Sequence, residues 1–207
     1  MSDFRGLIVA VSGPSGVGKG TVLAKVEELL EQADPGSVGH SISVTTRTPR
    51  GHEKDGVEYY FRTKEQFEQM IDDGEIVEYD TYVDNYYGTP AGPLREMVTK
   101  GRDVLFDITI EGSLALNRKF DDDTVTIFIL PPSMQVLEER LRGRGTETEE
   151  KIQRRLVQAR EEIGRAGEFE YLVTNADLET AAREIVAIIT AEKLKASKNI
   201  DTAKALL

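Results

Sequence analysis

At 207 residues the chain has room for one domain with a substantial buried core and for subdomains inserted into it. Its 39% hydrophobic and 30% charged residues exclude the low-apolar composition of disordered chains, and the absence of cysteine excludes disulfides and thiolate metal sites. A net charge of −11 argues against general nucleic-acid binding, and no apolar run nears the roughly 18–20 residues of a membrane span.

Residues 6–12 (GLIVAVS) form a continuous apolar run, as a strand buried on both faces of a parallel sheet does. A glycine-rich turn follows, and then Val22, Leu23, Val26, Leu29 and Leu30 recur at helical spacing from about Gly18 to Glu31. Residues 38–88 carry short β-like pieces (HSISVTT, VEYYF, EIVEYD, NYYGT) around one helix, an α+β insertion. DVLFDI (103–108), TVTIFIL (124–130) and FEYLVTN (169–175) are further buried-type strands separated by helical patterns. Alternation of this kind predicts an α/β fold: a parallel sheet flanked by helices and joined by right-handed crossovers. In residues 143–164, Thr146 three residues before Glu149 suggests a capping box opening a polar helix, read as a small helical lid. The expected organisation is therefore a core of 1–37, 89–142 and 165–207, an inserted subdomain of 38–88 and a lid of 143–164. An amphipathic helix follows from about Glu179, and the tail beyond it is polar and weakly patterned.

Between the first strand and first helix, Gly13-Pro14-Ser15-Gly16-Val17-Gly18-Lys19 fits the G-x-x-x-x-G-K phosphate loop. Glycines let the backbone curl so that N–H groups and the helix N-terminus face a phosphate, and Lys19 reaches the outer phosphates. Position 20 departs from the strict pattern: Gly20 stands where Ser or Thr ligates magnesium, and Thr21 comes one later. Nucleoside monophosphate kinases of the adenylate kinase type share G-K-G-T, which favours a kinase over a GTPase or motor. Mg²⁺ is then expected to be held largely through water, with Asp107, at the end of V-L-F-D, resembling the strand-end aspartate of P-loop proteins. The alternative for Asp107 is a solvent-facing strand-terminal carboxylate. The two histidines, His40 and His52, have no triad-like context and are read as structural or surface residues.

The strings S-V-T-T-R-T-P-R (43–50), E-Y-Y-F (58–61), V-E-Y (77–79), N-Y-Y-G-T (85–89) and R-G-T-E-T-E-E (144–150) resemble the guanylate kinase family from about Leu7 to Leu178. The resemblance implies a P-loop nucleoside monophosphate kinase that reversibly transfers a phosphoryl group from ATP, with Mg²⁺, to GMP and dGMP. It implies that Arg47, Arg50, Tyr59 and Tyr87 hold the GMP phosphate, and that Glu78 accepts the two neighbouring donors of guanine while Ser43 and Thr89 also bond the base. Taken one at a time, the arginines read as solvated surface residues and the tyrosines as rim packing; taken together in this order they do not. It places Arg140, Arg144 and Arg155 on ATP and the migrating phosphoryl group, with Lys19 and Arg47, and Asn175 beside the adenine. The family commonly carries an acid two residues after the strand-end acid; here the string is Asp107-Ile108-Thr109, so Thr109 supplies a hydroxyl in place of a charge. No obligatory protein partner and a cytoplasmic location are expected, the start MSDFRGLIVAVSGPSG lacking a basic segment before its apolar stretch. Two other readings stay open on the sequence: a non-catalytic guanylate-kinase-like binding module, which Lys19 and the lid arginines weigh against, and a kinase with a different acceptor, which Thr109 leaves open.

Overall fold

The computed structural model describes residues 6–82, 84–143 and 148–206. In chain order the elements are β1 (Ile8–Ser12), α1 (Lys19–Ala33), β2 (Val38–Gly39), β3 (Val44–Thr45), β4 (Tyr60–Phe61), α2 (Lys64–Asp72), β5 (Ile76–Tyr82) and β6 (Asn85–Pro90). There follow α3 (Ala91–Thr99), β7 (Asp103–Asp107), α4 (Ile110–Phe120), β8 (Thr124–Leu130), α5 (Met134–Gly143), α6 (Glu149–Gly164), β9 (Tyr171–Thr174), α7 (Leu178–Lys193) and α8 (Ala196–Lys204).

Five strands form a parallel sheet in the order β2-β7-β1-β8-β9. Its centre, β1, is buried along its whole length, which is why that segment is apolar without alternation. Helices α1 and α7 cover one face, where Val22, Val26, Ala181, Ile185 and Ile189 meet Val9, Val11, Ile127 and Ile129. On the other face Leu94, Val98 and Leu116, from α3 and α4, pack on Ile8, Ala10, Val104 and Phe106. Helix α7 is pinned by the buried Asp103, whose carboxylate accepts from Lys193 Nζ at 2.6 Å and from the Leu7 main-chain N–H at 2.9 Å.

A second sheet, β4-β3-β6-β5, with its own small core of Val44, Phe67 and Ile76, stands between β2 and α3 in the chain. Helix α2 starts where a capping box says it should: Thr63 accepts from the Gln66 N–H, and the Gln66 side chain accepts from the Thr63 N–H. Val38–Gly39, which the sequence groups with this insertion, instead pairs with β7 at the edge of the core sheet. Two residues are too few for a periodic signal.

Helices α5 and α6 pack through Leu137, Leu141, Ile152, Leu156 and Ala159, so the arm over the phosphate loop has a core of its own. Thr146 lies outside the described residues, and the expected capping box is corrected: Glu149 opens α6 as its first residue, behind Thr148, which makes no side-chain cap bond. Glu149 and Glu150 suit the positive end of the helix, and Glu149 binds Arg142 of α5. The polar tail forms α8, which periodicity did not announce.

Candidate active site

All five core strands run the same way, so their C-terminal ends open on one edge, the customary ligand side of such sheets. β1 feeds the glycine loop there. Gly13 has φ +144°, and a Cβ on it would lie 2.5 Å from the Ile129 carbonyl oxygen; Gly18 has φ +97°, and a Cβ would lie 2.8 Å from Asn175 Nδ2. Only glycine gives this turn against β8 and the residue after β9. Gly18 is also the N-cap of α1 and supplies no side-chain cap, which leaves the helix N-terminus to a ligand.

Around that loop the cations are already placed. Lys19 Nζ donates to the Gly13 carbonyl at 2.8 Å and lies 3.7 Å from Asp107 Oδ1. The Val17 carbonyl accepts from Asn175 Nδ2 at 2.8 Å and from Arg140 Nη1 at 3.1 Å, and Arg140 Nη2 donates to the Asn175 carbonyl at 2.9 Å. Arg140 and Asn175 thus brace the loop from behind. Arg155 reaches across from α6 and donates to Ser15 Oγ at 3.2 Å. Arg144 lies outside the described residues. Asp107 ends β7 beside β1, paired with Val11, and Gly20 faces it: a Cβ at position 20 would stand 3.7 Å from Asp107 Oδ2. Burial pushes the Asp107 carboxyl up, against the pull of the Lys19 ammonium.

The second sheet supplies the opposite wall. Glu78 of β5 accepts from Thr89 Oγ1 of β6 at 2.6 Å, and the buried Thr89 fixes that carboxylate. Burial raises the Glu78 carboxyl, Thr89 opposing and Asp80 adding to the shift. Thr109 is the N-cap of α4, its hydroxyl accepting from the Gly112 N–H at 3.2 Å. Glu78 stands beside that turn, since a Cβ on Gly112 would meet Glu78 Oε2 at 3.3 Å. Arg47, only 8% exposed, forks onto Glu53 through Nη1 and Nη2, both at 2.9 Å, and lies over the Tyr59 ring at 5.3 Å. Tyr59 meets Tyr87 edge to face, with ring centroids 5.9 Å apart. Arg50 contributes its main-chain N–H to Glu53 at 2.8 Å.

One cavity of about 690 Å³ joins the two walls: Gly13, Ser15 and Lys19 on one side; Ser43, Glu78 and Tyr87 on the other; Asp107 and Thr109 between. Of the expected site residues, Pro14, Gly16, Val17, Gly18, Gly20 and Thr21 of the loop, and Arg47, Arg50, Tyr59, Thr89, Arg140, Arg155 and Asn175, do not line it. Its remaining charge includes groups that the sequence did not single out, Asp80, Glu111, Glu161, Glu162 and Arg165. Arg165, which follows α6, pairs with Glu111 in the first turn of α4 and with Glu168. Glu53 was missed as well, although it stands three residues after Arg50; nothing in its local pattern reveals that it faces Arg47. The α6 contributions depend on tertiary packing and carry no local signal.

A parallel sheet with a glycine loop, a loop lysine and a strand-end acid at its C-terminal edge defines a P-loop nucleotide-binding protein of the kinase kind. The family model for guanylate kinase matches residues 5–192. Guanylate kinase of Halalkalibacterium halodurans is 43% identical over 201 residues, 97% of this chain and 96% of its own. That of Clostridioides difficile is 45% identical over 194 residues, 94% of this chain and 92% of its own. A crystal structure of guanylate kinase from Anaplasma phagocytophilum is similar at a TM-score of 0.66 and 34% identity, covering 94% of this chain and 90% of that one. The chain belongs to the guanylate kinase family. It is a nucleoside monophosphate kinase, transferring a phosphoryl group from ATP, which sets aside the non-catalytic reading. Among the described residues no helix is long and apolar enough to cross a membrane.

Proposed function

We propose that the acceptor is GMP, with dGMP as an alternative substrate, and that the product is the corresponding diphosphate, formed reversibly. The carrying observation is the shared cavity: Lys19 and Glu78 open onto one space, so a triphosphate on the loop and a purine against Glu78 face each other. Guanine presents N1–H and an exocyclic amine side by side, two donors for one carboxylate; adenine has a lone pair at N1, which Glu78 would repel. Ser43 and Thr109 are hydroxyls in the same wall, and Thr89 acts through Glu78. Arg47, Arg50, Tyr59 and Tyr87 serve the acceptor's phosphate, Arg by its planar fork and Tyr by single directed bonds.

Among the described residues no three His, Cys, Asp or Glu side chains cluster to hold a metal directly. Asp107 alone, beside the loop and facing a glycine at position 20, suits Mg²⁺ held through water and substrate phosphates. Bound there, Mg²⁺ supplies charge neutralisation to the donor's phosphates. The loop N–H groups of 13–18 and Thr21 orient those phosphates, Lys19 neutralises the moving group, and Asn175 keeps the loop in shape near the adenine. The nucleophile is an oxygen of the acceptor phosphate, with a second pKa near 6 and therefore mostly dianionic at neutral pH, so no general base is needed.

Arg47 and Arg155 lie outside the cavity lining. We read 38–88, less its first two residues, as the acceptor-binding subdomain, and 143–164 as a lid; both close to bring Arg47, Arg144 and Arg155 toward the phosphoryl group, where Arg140 already stands at the loop, and to exclude water. Solution scattering that shows no compaction with both nucleotides present would refute closure. The acceptor is tested by ADP release with ATP, Mg²⁺ and a panel of GMP, dGMP, IMP, AMP, CMP and UMP. Turnover strongest with the guanine compounds is expected; equal or faster turnover of AMP or a pyrimidine overturns the reading.

A further inference from the structure

Glu53 contacts both arginines of the acceptor wall. Arg47 presents Nη1 to Glu53 Oε2 and Nη2 to Glu53 Oε1, each at 2.9 Å, and gives a second Nη1 hydrogen to the Thr48 carbonyl at 2.8 Å. Two of five guanidinium hydrogens are thereby committed on the Nη1/Nη2 edge, and a third beside it on the Cδ side of Nη1. The other edge consists of Nε–H and the remaining Nη2–H, two parallel donors with the geometry of a second fork. Tyr87, which interacts with this guanidinium, also lines the cavity. The Tyr59 and Phe61 rings, 5.3 and 5.9 Å from the guanidinium carbon, limit tilting of its plane. Glu53 Oε2 accepts in addition from the Arg50 N–H at 2.8 Å, so one carboxylate also fixes the turn that carries Arg50.

We propose that Glu53 is a positioning residue for the acceptor's phosphate: by holding the Nη1/Nη2 edge of Arg47 and the main chain of Arg50, it aims the Nε/Nη2 edge of Arg47 at a phosphomonoester dianion. This rests on the acceptor reading above. A flexible arginine would lose side-chain freedom on binding the phosphate; one already clamped has lost it in folding, so the contact is stronger. Retaining a carboxylate near an anion costs some attraction, and a guanidinium that is ion-paired on one edge and otherwise meets neutral partners, the Thr48 carbonyl and the Tyr87 side chain, is the arrangement that tolerates it. Hydrogen bonds from the Arg47 guanidinium and the Arg50 N–H, with the charges of both arginines, also lower the Glu53 carboxyl from its ordinary value, so it is ionised and the clamp is closed at neutral pH.

The test separates phosphate from base. In Glu53→Gln the amide turns one N–H donor toward Arg47 and opens the fork. KM for GMP should rise about tenfold or more, KM for ATP should stay unchanged, and inhibition by guanosine, which has the base and no phosphate, should hold within about twofold. Glu53→Asp keeps the charge but is one methylene short; it should show the same pattern at smaller size, and it serves if the glutamine variant does not fold. Three results overturn the proposal: an unchanged KM for GMP, tighter GMP binding, which would make Glu53 a competitor, or equal weakening of GMP and guanosine, which would make it merely structural. A wild-type enzyme that turns over AMP as readily as GMP would instead remove the acceptor reading.

Discussion

The donor loop and the acceptor wall face each other across one cavity and are built in opposite ways. The loop is a single run of seven residues, 13–19, in which, on the proposed reading, main-chain N–H groups and one lysine would hold the donor, and where Gly13 and Gly18 leave no space for a Cβ. The wall gathers Ser43, Arg47, Glu53, Tyr59, Glu78, Tyr87, Thr89 and Thr109 from strands, turns and a helix start spread over 67 positions of the chain. A backbone cradle recognises phosphate charge and is indifferent to the base beyond it. Side chains can be exchanged one at a time, so on the proposed reading the wall is where discrimination between acceptors would be set. Substitutions on the two sides should therefore leave different signatures: uniform loss across acceptors on the donor side, altered ranking on the acceptor side.

The largest effect is expected at Lys19. Lys19→Met removes the loop's one side-chain cation, and kcat should fall about 10²–10³-fold, the scale on which a single stabilising donor to a developing charge acts. Measured by coupled ADP release, GMP and IMP should lose the same factor. Selective loss for one acceptor would show that Lys19 senses the base as well and would break the distinction between the two walls.

Glu78→Gln comes next. It leaves a donor where guanine's own donors arrive, so kcat/KM for GMP should drop about 100-fold with KM for ATP unchanged. IMP, with one donor fewer, should lose less. The pH profile adds a second reading. Burial, with a further push from Asp80 and against the Thr89 bond, places the Glu78 carboxyl above its ordinary 4.5. Its charge is thus lost earlier on acidification than that of an exposed glutamate, and kcat/KM for GMP should decline in that range. The second ionisation of GMP, near pH 6, is common to both enzymes, so dividing the two profiles isolates the carboxylate. A quotient flat with pH would place the determinant elsewhere.

The same division governs what could be read from the sequence. The loop, its strand and its helix are contiguous, so apolar runs, helical spacing and glycine placement revealed them together, and β8 begins and ends where its apolar run does. On the acceptor side the strings around Arg47, Glu78 and Tyr87 carried the family resemblance, but not which side chains touch. The Arg47–Glu53 fork, the Thr89–Glu78 bond and the use of Arg140 to brace Val17 each depend on rotamers and on chain segments meeting in space. The short strand β2 escaped because its two residues gain their place from β7 and have no periodicity of their own. Glu111 and Arg165 escaped for a related reason: each lies on an exposed helical end, where charged residues are ordinary, and only the packing of α6 over α4 turns them toward the cavity.

The smallest effect, and the sharpest on the acceptor side, belongs to Thr109. Its hydroxyl already accepts from the Gly112 N–H as the cap of α4, so only part of its bonding capacity remains for a base. Aspartate caps a helix as well as threonine does, so Thr109→Asp should fold normally while adding a charged acceptor beside Glu78. Guanine's exocyclic amine distinguishes GMP from IMP, and one further hydrogen bond to it should raise the GMP preference about three- to tenfold, read as the ratio of kcat/KM for the two. The added carboxylate would also repel the Glu78 charge and move the acid decline in GMP turnover to higher pH. If the ratio stays constant while that decline moves, residue 109 adjoins Glu78 without reaching the amine, and Glu78 alone tells guanine from hypoxanthine.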